Sequence, residues 1–166
     1  MHEASPLFTL KKEEPEDYWA VEALYDLCFV PGRTALSSYR LRDGVDPVVS
    51  LSRVALDEGG FIGGAIRYWP VRVAGHRTLL LGPVAVHPTA QGEGLAAAMI
   101  RDSLAAAEAD WERVLLVGDL PYYQRFGFVR LDGVEMPPPT NPERVLGVAL
   151  RPGAWDGIAG EVTPDA

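Results

Sequence analysis

Residues 78–117 restrict the possible folds of this chain more than any other stretch. An apolar strand pattern at 78–86 is followed by an alanine-rich helical pattern over Glu93–Ala109, and then by Val114–Val117, a run typical of a short, fully buried strand. Because a helix lies between two strands, the pattern predicts a crossover connection in a β-sheet. Gly82-Pro83 divides the first strand. Proline cannot donate to a strand ladder, so we expect the pairing of that strand to be broken or bulged there.

The segment before this crossover predicts antiparallel strands. Two apolar stretches, Val48–Leu56 and Phe61–Trp69, are separated by the turn signal Asp57–Gly60, which favours a hairpin. Further upstream, Glu13–Phe29 predicts a helix, because its acidic start suits a helix N-terminus and apolar residues recur at spacings of three and four. The predicted buried face of this helix consists of Tyr18, Val21, Leu24, Tyr25 and Cys28.

The remaining predicted elements are short. They are a strand at Leu7–Leu10, a helix or loop at 33–47, a helix at 121–126, strands at Phe128–Leu131 and Val145–Leu150, and a loop at 136–142, with Trp155 packing back from a C-terminal tail at 152–166. The order of elements predicts a single domain over residues 1–166, of the α/β (mixed α+β) class with one crossover helix.

Composition excludes several classes of protein. The chain has 166 residues, a net charge of −8, a pI of about 4.8 and one cysteine, Cys28. The acidic balance argues against a nucleic-acid partner, and a single cysteine leaves no internal disulfide and no cysteine-rich metal site. No apolar run reaches the roughly 20 residues of a membrane span, and the N-terminus lacks the order of a signal peptide. We expect a cytoplasmic protein with no nucleic-acid, membrane or metal partner; a homodimer is left open.

The turn between the first strand and the helix contains two glycines, a feature suited to binding an anion. A nucleotide P-loop is excluded because no Gly-Lys-Ser/Thr follows. A dinucleotide site is the serious rival, since Gly92, Gly94 and Ala97 give the spacing G-x-G-x-x-A and Asp119 ends the next strand. However, only 47 residues follow Asp119, too few for the usual further strand–helix units, and antiparallel hairpins precede the motif.

A third interpretation rests on three motifs that occur in order. Gln91–Ala96, Q-G-E-G-L-A, fits the pattern Q/R-x-x-G-x-G/A, V-A-V-H-P precedes it at 84–88, and P-Y-Y-Q-R-F-G-F at 121–128 contains Y-x-x-x-G-F. Successive N–H groups at a helix N-terminus have no intrahelical partners and can hold a diphosphate without a lysine. Over residues 79–131 the chain resembles the GNAT-type N-acetyltransferase superfamily. The resemblance implies a central mixed, mostly antiparallel sheet with one splayed strand and flanking helices.

The resemblance also implies a reaction and a site. The reaction is acetyl transfer from acetyl-CoA, a cosubstrate used without a metal, to a small-molecule or protein amine that attacks the thioester directly. By position in the motifs, Tyr123 is the implied general acid near the CoA sulfur, and the N–H of Val86 is the implied oxyanion donor. A splayed strand exposes backbone groups to which the peptide-like arm of CoA can add. The other implied cofactor-binding residues are Val84, Ala85, Gln91, Gly92, Glu93, Gly94, Leu95, Ala96 and Tyr122.

The general base is not evident from these motifs. Many members of the superfamily place a glutamate on the strand before the loop, whereas residues 79–86 contain no carboxylate here. Glu58 or Glu22, acting through water, is the candidate base. His87 is assigned to the turn. Asp119 either contacts the CoA arm, at a place where many members of the superfamily carry an asparagine, or caps the short helix that follows it, and we favour the cap. The missing carboxylate leaves an alternative open, namely a CoA-binding sensor or interaction module with reduced catalysis.

Overall fold

The computed structural model describes residues 8–29, 37–92 and 94–165. Its strands are β1 (Thr9–Lys12), β2 (Arg53–Leu56), β3 (Ile62–Val73), β4 (His76–Val86), β5 (Arg113–Val117), β6 (Val129–Arg130), β7 (Val134–Glu135), β8 (Val145–Ala149) and β9 (Gly160–Pro164). Its helices are α1 (Tyr18–Cys28), α2 (Ser37–Arg40), α3 (Leu95–Ala107) and α4 (Leu120–Tyr123). Single helical turns lie at Pro15–Asp17, Pro88–Ala90, Gln124–Phe126 and Pro142–Arg144. The first residue of the predicted strand Leu7–Leu10 falls outside the described residues.

The described residues form two compact units, and the β3–β4 hairpin contributes to both. The first unit contains residues 8–29, 48–68, 82–92 and 94–106. The second contains residues 37–47, 69–81 and 107–165. The single domain over residues 1–166, with its tail at 152–166, stays a prediction.

In the first unit the strands follow the order β1-β2-β3-β4, and β2 is antiparallel to both of its neighbours. The turn between β2 and β3 is closed by the N–H of Gly60, which donates to the carbonyl of Asp57 at 3.0 Å. The predicted hairpin is therefore confirmed. Its first strand begins at Arg53 rather than Val48, because residues 48–52 form a turn in which the N–H of Leu51 bonds back to the carbonyl of Val48 at 3.0 Å.

Helix α1 covers one face of this sheet, as its apolar spacing predicts. Its buried side chains pack with those of three strands in one cluster: Val21, Leu24 and Tyr25 from α1, with Val54, Ala65 and Ala85. Tyr18 is less buried than the rest of the predicted face, with its side chain 45% exposed. Its ring still lies beside β3, with the Arg67 guanidinium 5.3 Å from its centroid, and packs edge-on against that of the exposed Trp19 with the centroids 5.0 Å apart.

Helix α3 lies close against β3 because β3 offers a glycine at the contact. A Cβ placed on Gly64 would come within 3.1 Å of Leu95 Cδ2 and 3.0 Å of Met99 Cε. Both side chains belong to α3 and are buried. The small residue fixes the distance of the crossover helix from the strand, and with it the position of the turn that opens the helix.

In the second unit β4 and β5 are parallel, as the crossover predicts. They register only two residue pairs, Leu79 with Val114 and Leu80 with Leu115. Parallel pairing thus ends before Gly82-Pro83, where a break was predicted, while β4 itself continues to Val86. Strand β5 is almost fully buried and pairs antiparallel with β8, which in turn pairs with β6.

Two strands of the second unit were not predicted. Strand β9 pairs antiparallel with the end of β3 and parallel with β7, which is two residues long. Both strands are short, so neither carries an apolar period long enough to be recognised in the sequence. The predicted return of Trp155 is confirmed, because its indole N–H donates to the carbonyl of Val148 at 3.0 Å and its ring packs on the core.

Two features are absent from residues 8–29, 37–92 and 94–165. None of their helices combines the length and the apolarity needed to cross a membrane. Within the same residues, no group of three or more His, Cys, Asp or Glu side chains is arranged to hold a metal ion.

Candidate functional site

The glycine turn joins β4 to α3 in the first unit. Gly92 has φ +86° and Gly94 has φ +72°, backbone conformations that residues with a Cβ rarely adopt. Both glycines are exposed, and a Cβ built on either would meet no atom within 4 Å. The exposed turn thus lies directly before the first N–H groups of α3, which have no partner within the helix. Glu93, a predicted contact, lies outside the described residues.

The other residues predicted to bind at the turn can do so through their backbone N–H groups and not through their side chains. Leu95 is 1% exposed and packs in the core, and Ala96 is half-buried, so only their N–H groups can face an anion. His87 serves the turn, as predicted. The side-chain Nδ1 of His87 accepts from the N–H of Thr89 at 3.1 Å, and the backbone N–H of His87 donates to the carbonyl of Gly63 on β3 at 2.9 Å.

The last residues of β4 alternate between its two edges. Because the N–H of His87 faces β3, the backbone groups of Val84 and Val86 face the opposite edge. These are the groups predicted to meet the pantetheine arm and the oxyanion. The side chain of Ala85 is buried against α1, so this residue can contribute only through its backbone.

Three side chains of the first unit hold the carbonyl groups of this segment. Tyr25 donates from its hydroxyl to the carbonyl of Pro83 at 3.0 Å. Cys28 Sγ and Gln91 Nε2 each donate to the carbonyl of Val86 at 3.3 Å. A carbonyl oxygen has two lone pairs, so both lone pairs of the Val86 carbonyl are engaged by these two donors. Burial raises the pKa of the Cys28 thiol, which keeps its proton for this bond.

Glu22, one candidate base, is engaged by a buried arginine. Arg67 of β3 donates from Nη1 to Glu22 Oε2 and reaches both carboxylate oxygens of Glu13, at 3.0 and 2.8 Å. The Arg67 side chain is only 6% exposed. Burial opposes its charge, but the hydrogen bonds that Arg67 donates to the two carboxylates outweigh burial and hold the pKa of Arg67 above its ordinary value. Glu58, the other candidate, is exposed on the turn between β2 and β3.

The two glutamates should respond differently to amidation. We expect Glu22→Gln to lower the free energy of unfolding by about 1–3 kcal/mol, because it leaves the buried Arg67 with less compensating charge. Glu58→Gln is the matched control and should change stability by less than about 0.5 kcal/mol. Urea unfolding of both variants checks this. Unchanged stability of Glu22→Gln together with a lowered kcat would instead identify Glu22 as the base.

Tyr123 lies in the second unit, at the end of α4, with its N–H donating to the carbonyl of Asp119 at 3.1 Å. Its half-buried ring meets the rings of Tyr122 and Phe128 edge to face, with centroids 5.0 and 5.9 Å away. Burial, reinforced by Tyr122 and Asp119 and opposed by Arg144, raises the pKa of Tyr123 to about 12. The phenol therefore keeps its proton at neutral pH, the state that a general acid requires.

The role predicted for the Asp119 side chain was wrong. Asp119 occupies the N-cap position of α4, but its carboxylate makes no capping bond and pairs with Arg144 Nε at 3.3 Å. The cause is local, because Pro121 removes the N–H at the second helical position and the N–H of Tyr122 bonds to the Asp119 carbonyl at 3.1 Å. The carboxylate is left to the nearby guanidinium.

The structure thus brings together some predicted site residues directly. Val86 and Gln91 are hydrogen-bonded in the first unit, and Tyr122 and Tyr123 are in contact in the second. The sequence reasoning missed the support given by Tyr25 to β4 and by Gly118 to Tyr123. Both were visible only as an apolar helix residue and as a glycine after a buried strand.

Comparison with known proteins finds similarity to one family of acetyltransferases. Residues 50–130 match the family model of the acetyltransferase (GNAT) domain. The structure is similar to that of the GNAT family N-acetyltransferase YhbS from Escherichia coli in complex with CoA, with a TM-score of 0.82 and 26% identity, covering 98% of this chain and 93% of that chain. It is also similar to a GNAT family acetyltransferase from Brucella melitensis in complex with acetyl-CoA, with a TM-score of 0.73 and 28% identity, covering 96% of each chain. Comparison with curated proteins gives no match.

Residues 50–130 of the chain are thus similar to the acetyltransferase (GNAT) domain, and the structure over almost its whole length is similar to those of GNAT family acetyltransferases. Its mixed, largely antiparallel sheet with flanking helices is the fold that the three sequence motifs implied.

Proposed function

We propose that this protein transfers an acetyl group from acetyl-CoA to a primary amine. The observation that carries the proposal is the exposed turn in which Gly92 and Gly94 adopt positive φ directly before the first N–H groups of α3. A diphosphate fits such a turn because the N–H groups and the helix dipole both favour negative charge. Both similar solved structures named above contain CoA or acetyl-CoA, which supports this choice of cosubstrate.

The proposed binding residues follow the path from the diphosphate to the thioester. The backbone of residues 91–96 would hold the diphosphate, Val84–Val86 would pair with the pantetheine arm, and Tyr122 would contact the cosubstrate. The contacts of Tyr25, Cys28 and Gln91 support this assignment, because they fix the β4 carbonyl groups beside which the arm would lie.

The proposed chemistry is a direct attack by the neutral amine. A carbon–nitrogen bond forms, the carbon–sulfur bond breaks, and the developing oxyanion is stabilised by the N–H of Val86. Tyr123 gives its proton to the leaving thiolate, and Glu58 or Glu22 receives the amine proton through water. Tyr123 is protonated before the reaction, which is the state from which a phenol can donate.

The acceptor is proposed only by class, as a small molecule or a protein that carries a primary amine. The net charge of −8 favours a cationic acceptor by long-range attraction. We also propose a cytoplasmic location for the protein. Whether it forms a homodimer is left open.

The test is thiol release from acetyl-CoA with a panel of amines, followed by mass spectrometry of the products. The panel contains spermidine, a peptide with one lysine and a blocked N-terminus, and a lysine-free peptide with a free N-terminus. We expect amine-dependent thiol release and a matching amide for at least one of them. Tight binding of acetyl-CoA with no release for any amine would favour the alternative suggested by the carboxylate-free strand, a CoA-binding sensor with reduced catalysis.

A further inference from the structure

Gly118 lies directly against the ring of Tyr123. A Cβ built on Gly118 would be 2.5 Å from Tyr123 Cε2 and 3.0 Å from Cδ2. Ordinary carbon contacts lie at about 3.5–4.0 Å, so even a methyl group would force the ring away by about 1 Å. The atom most affected, Cε2, is bonded to the carbon that carries the hydroxyl. A displacement of the ring therefore moves the hydroxyl.

The ring has little room to retreat. Phe128, which is 1% exposed, meets it edge to face at 5.9 Å, and Phe126 and Tyr122 lie at 6.2 and 5.0 Å. The backbone of Gly118 is also held, because its N–H donates to the carbonyl of Arg144 at 2.9 Å. The Tyr123 ring thus packs against the backbone of Gly118 and against three aromatic rings, so a side chain at position 118 has to displace it.

We propose that Gly118 is a positioning residue for Tyr123, in that the lack of a side chain at this position sets where the Tyr123 hydroxyl lies. This inference rests on the proposed function, in which Tyr123 is the proton donor. Misplacement of a reacting group by about 1 Å can lower a rate by about 100-fold. Gly118→Ala should therefore lower kcat by about 100-fold and leave the KM for acetyl-CoA unchanged.

Gly147→Ala is the matched control. A Cβ on Gly147, in the same unit, would be 2.8 Å from Leu131 Cδ1 and 2.8 Å from Trp155 Cε2, a comparable intrusion that involves other side chains than Tyr123. Both variants should lower the melting temperature. Only Gly118→Ala should lower kcat, measured as thiol release from acetyl-CoA with the most active amine of the panel, below the melting temperature of both variants.

Two further readouts separate positioning from general damage. In the double variant, Gly118→Ala should add nothing to the loss of kcat caused by Tyr123→Phe, because the group that it displaces is already absent. The aromatic NMR cross-peak of the Tyr123 ring, assigned by its loss in Tyr123→Phe, should shift in Gly118→Ala and stay in place in Gly147→Ala.

The possible failures are distinguishable. An unshifted Tyr123 cross-peak in Gly118→Ala, or a full kcat in that variant when Tyr123→Phe is impaired, would overturn the positioning role alone. A full kcat in Tyr123→Phe would remove the acid role from the proposed function, and the role of Gly118 with it.

Discussion

Replacing Tyr123 with phenylalanine should lower kcat for amine acetylation by about 100- to 1,000-fold, the range typical of a lost general acid. The aromatic contacts of the ring do not require the hydroxyl, so affinity for acetyl-CoA and stability should be retained. Steady-state kinetics with the most active amine of the panel measures the effect. Tyr122→Phe is the matched control, since it removes the neighbouring hydroxyl from the same helix, and it should keep most of the activity.

The pH dependence of kcat tests whether the Tyr123 phenol stays protonated during the reaction. Burial raises the pKa of Tyr123 to about 12, so the phenol is protonated throughout the range in which most enzymes are assayed. Any fall in kcat below about pH 10 must then come from another group. The profile of Tyr123→Phe should have the same shape as that of the wild type and a lower level. An alkaline fall near pH 8 that disappears in Tyr123→Phe would show that the phenol titrates there, against this assignment.

Replacing Gly94 with tryptophan should abolish detectable binding of acetyl-CoA. A Cβ on Gly94 meets no atom within 4 Å, so an indole can be accommodated there, beside the first N–H groups of α3 where the proposal places the diphosphate. The backbone conformation, with φ +72°, adds strain of about 1–2 kcal/mol for a residue with a Cβ. Isothermal titration of acetyl-CoA into the folded variant measures the loss.

Gly44 offers a matched control for this substitution. It has φ +73°, and a Cβ on it would also meet no atom within 4 Å, but it belongs to the second unit and to no predicted contact. Gly44→Trp should therefore lose similar stability and bind acetyl-CoA as the wild type does. If Gly94→Trp and Gly44→Trp bound acetyl-CoA with equal affinity, the proposal that the glycine turn binds the diphosphate would be wrong.

The crossover connection and its glycine turn could be predicted from the sequence because the patterns that indicate them are local. An apolar strand, two glycines that need positive φ, and an alanine-rich helix lie within thirty or so consecutive residues, and each follows from backbone preference or apolar period. The buried strand β5 and the short helix α4 were legible for the same reason. The family motifs then added roles that no periodicity could supply.

What the sequence did not reveal depends on contacts between distant residues. Arg67 donates a hydrogen bond to Glu13, 54 positions away, and no local sequence pattern predicts this ion pair. Asp119 occupies the position of a helix cap, yet its partner is Arg144, which only the folded chain brings near. Strand β9 is recognisable only by its partners β3 and β7, because five residues with one fully buried side chain make a weak pattern.

Thermal unfolding with acetyl-CoA, and separately with NADH, tests most directly whether the glycine turn is a CoA site. At about 100 times its Kd, a ligand that binds only the folded state stabilises it by about 2.7 kcal/mol. We expect acetyl-CoA to raise the melting temperature of the wild type accordingly and NADH to leave it unchanged. A shift with NADH and none with acetyl-CoA would contradict the account and assign the turn to a dinucleotide.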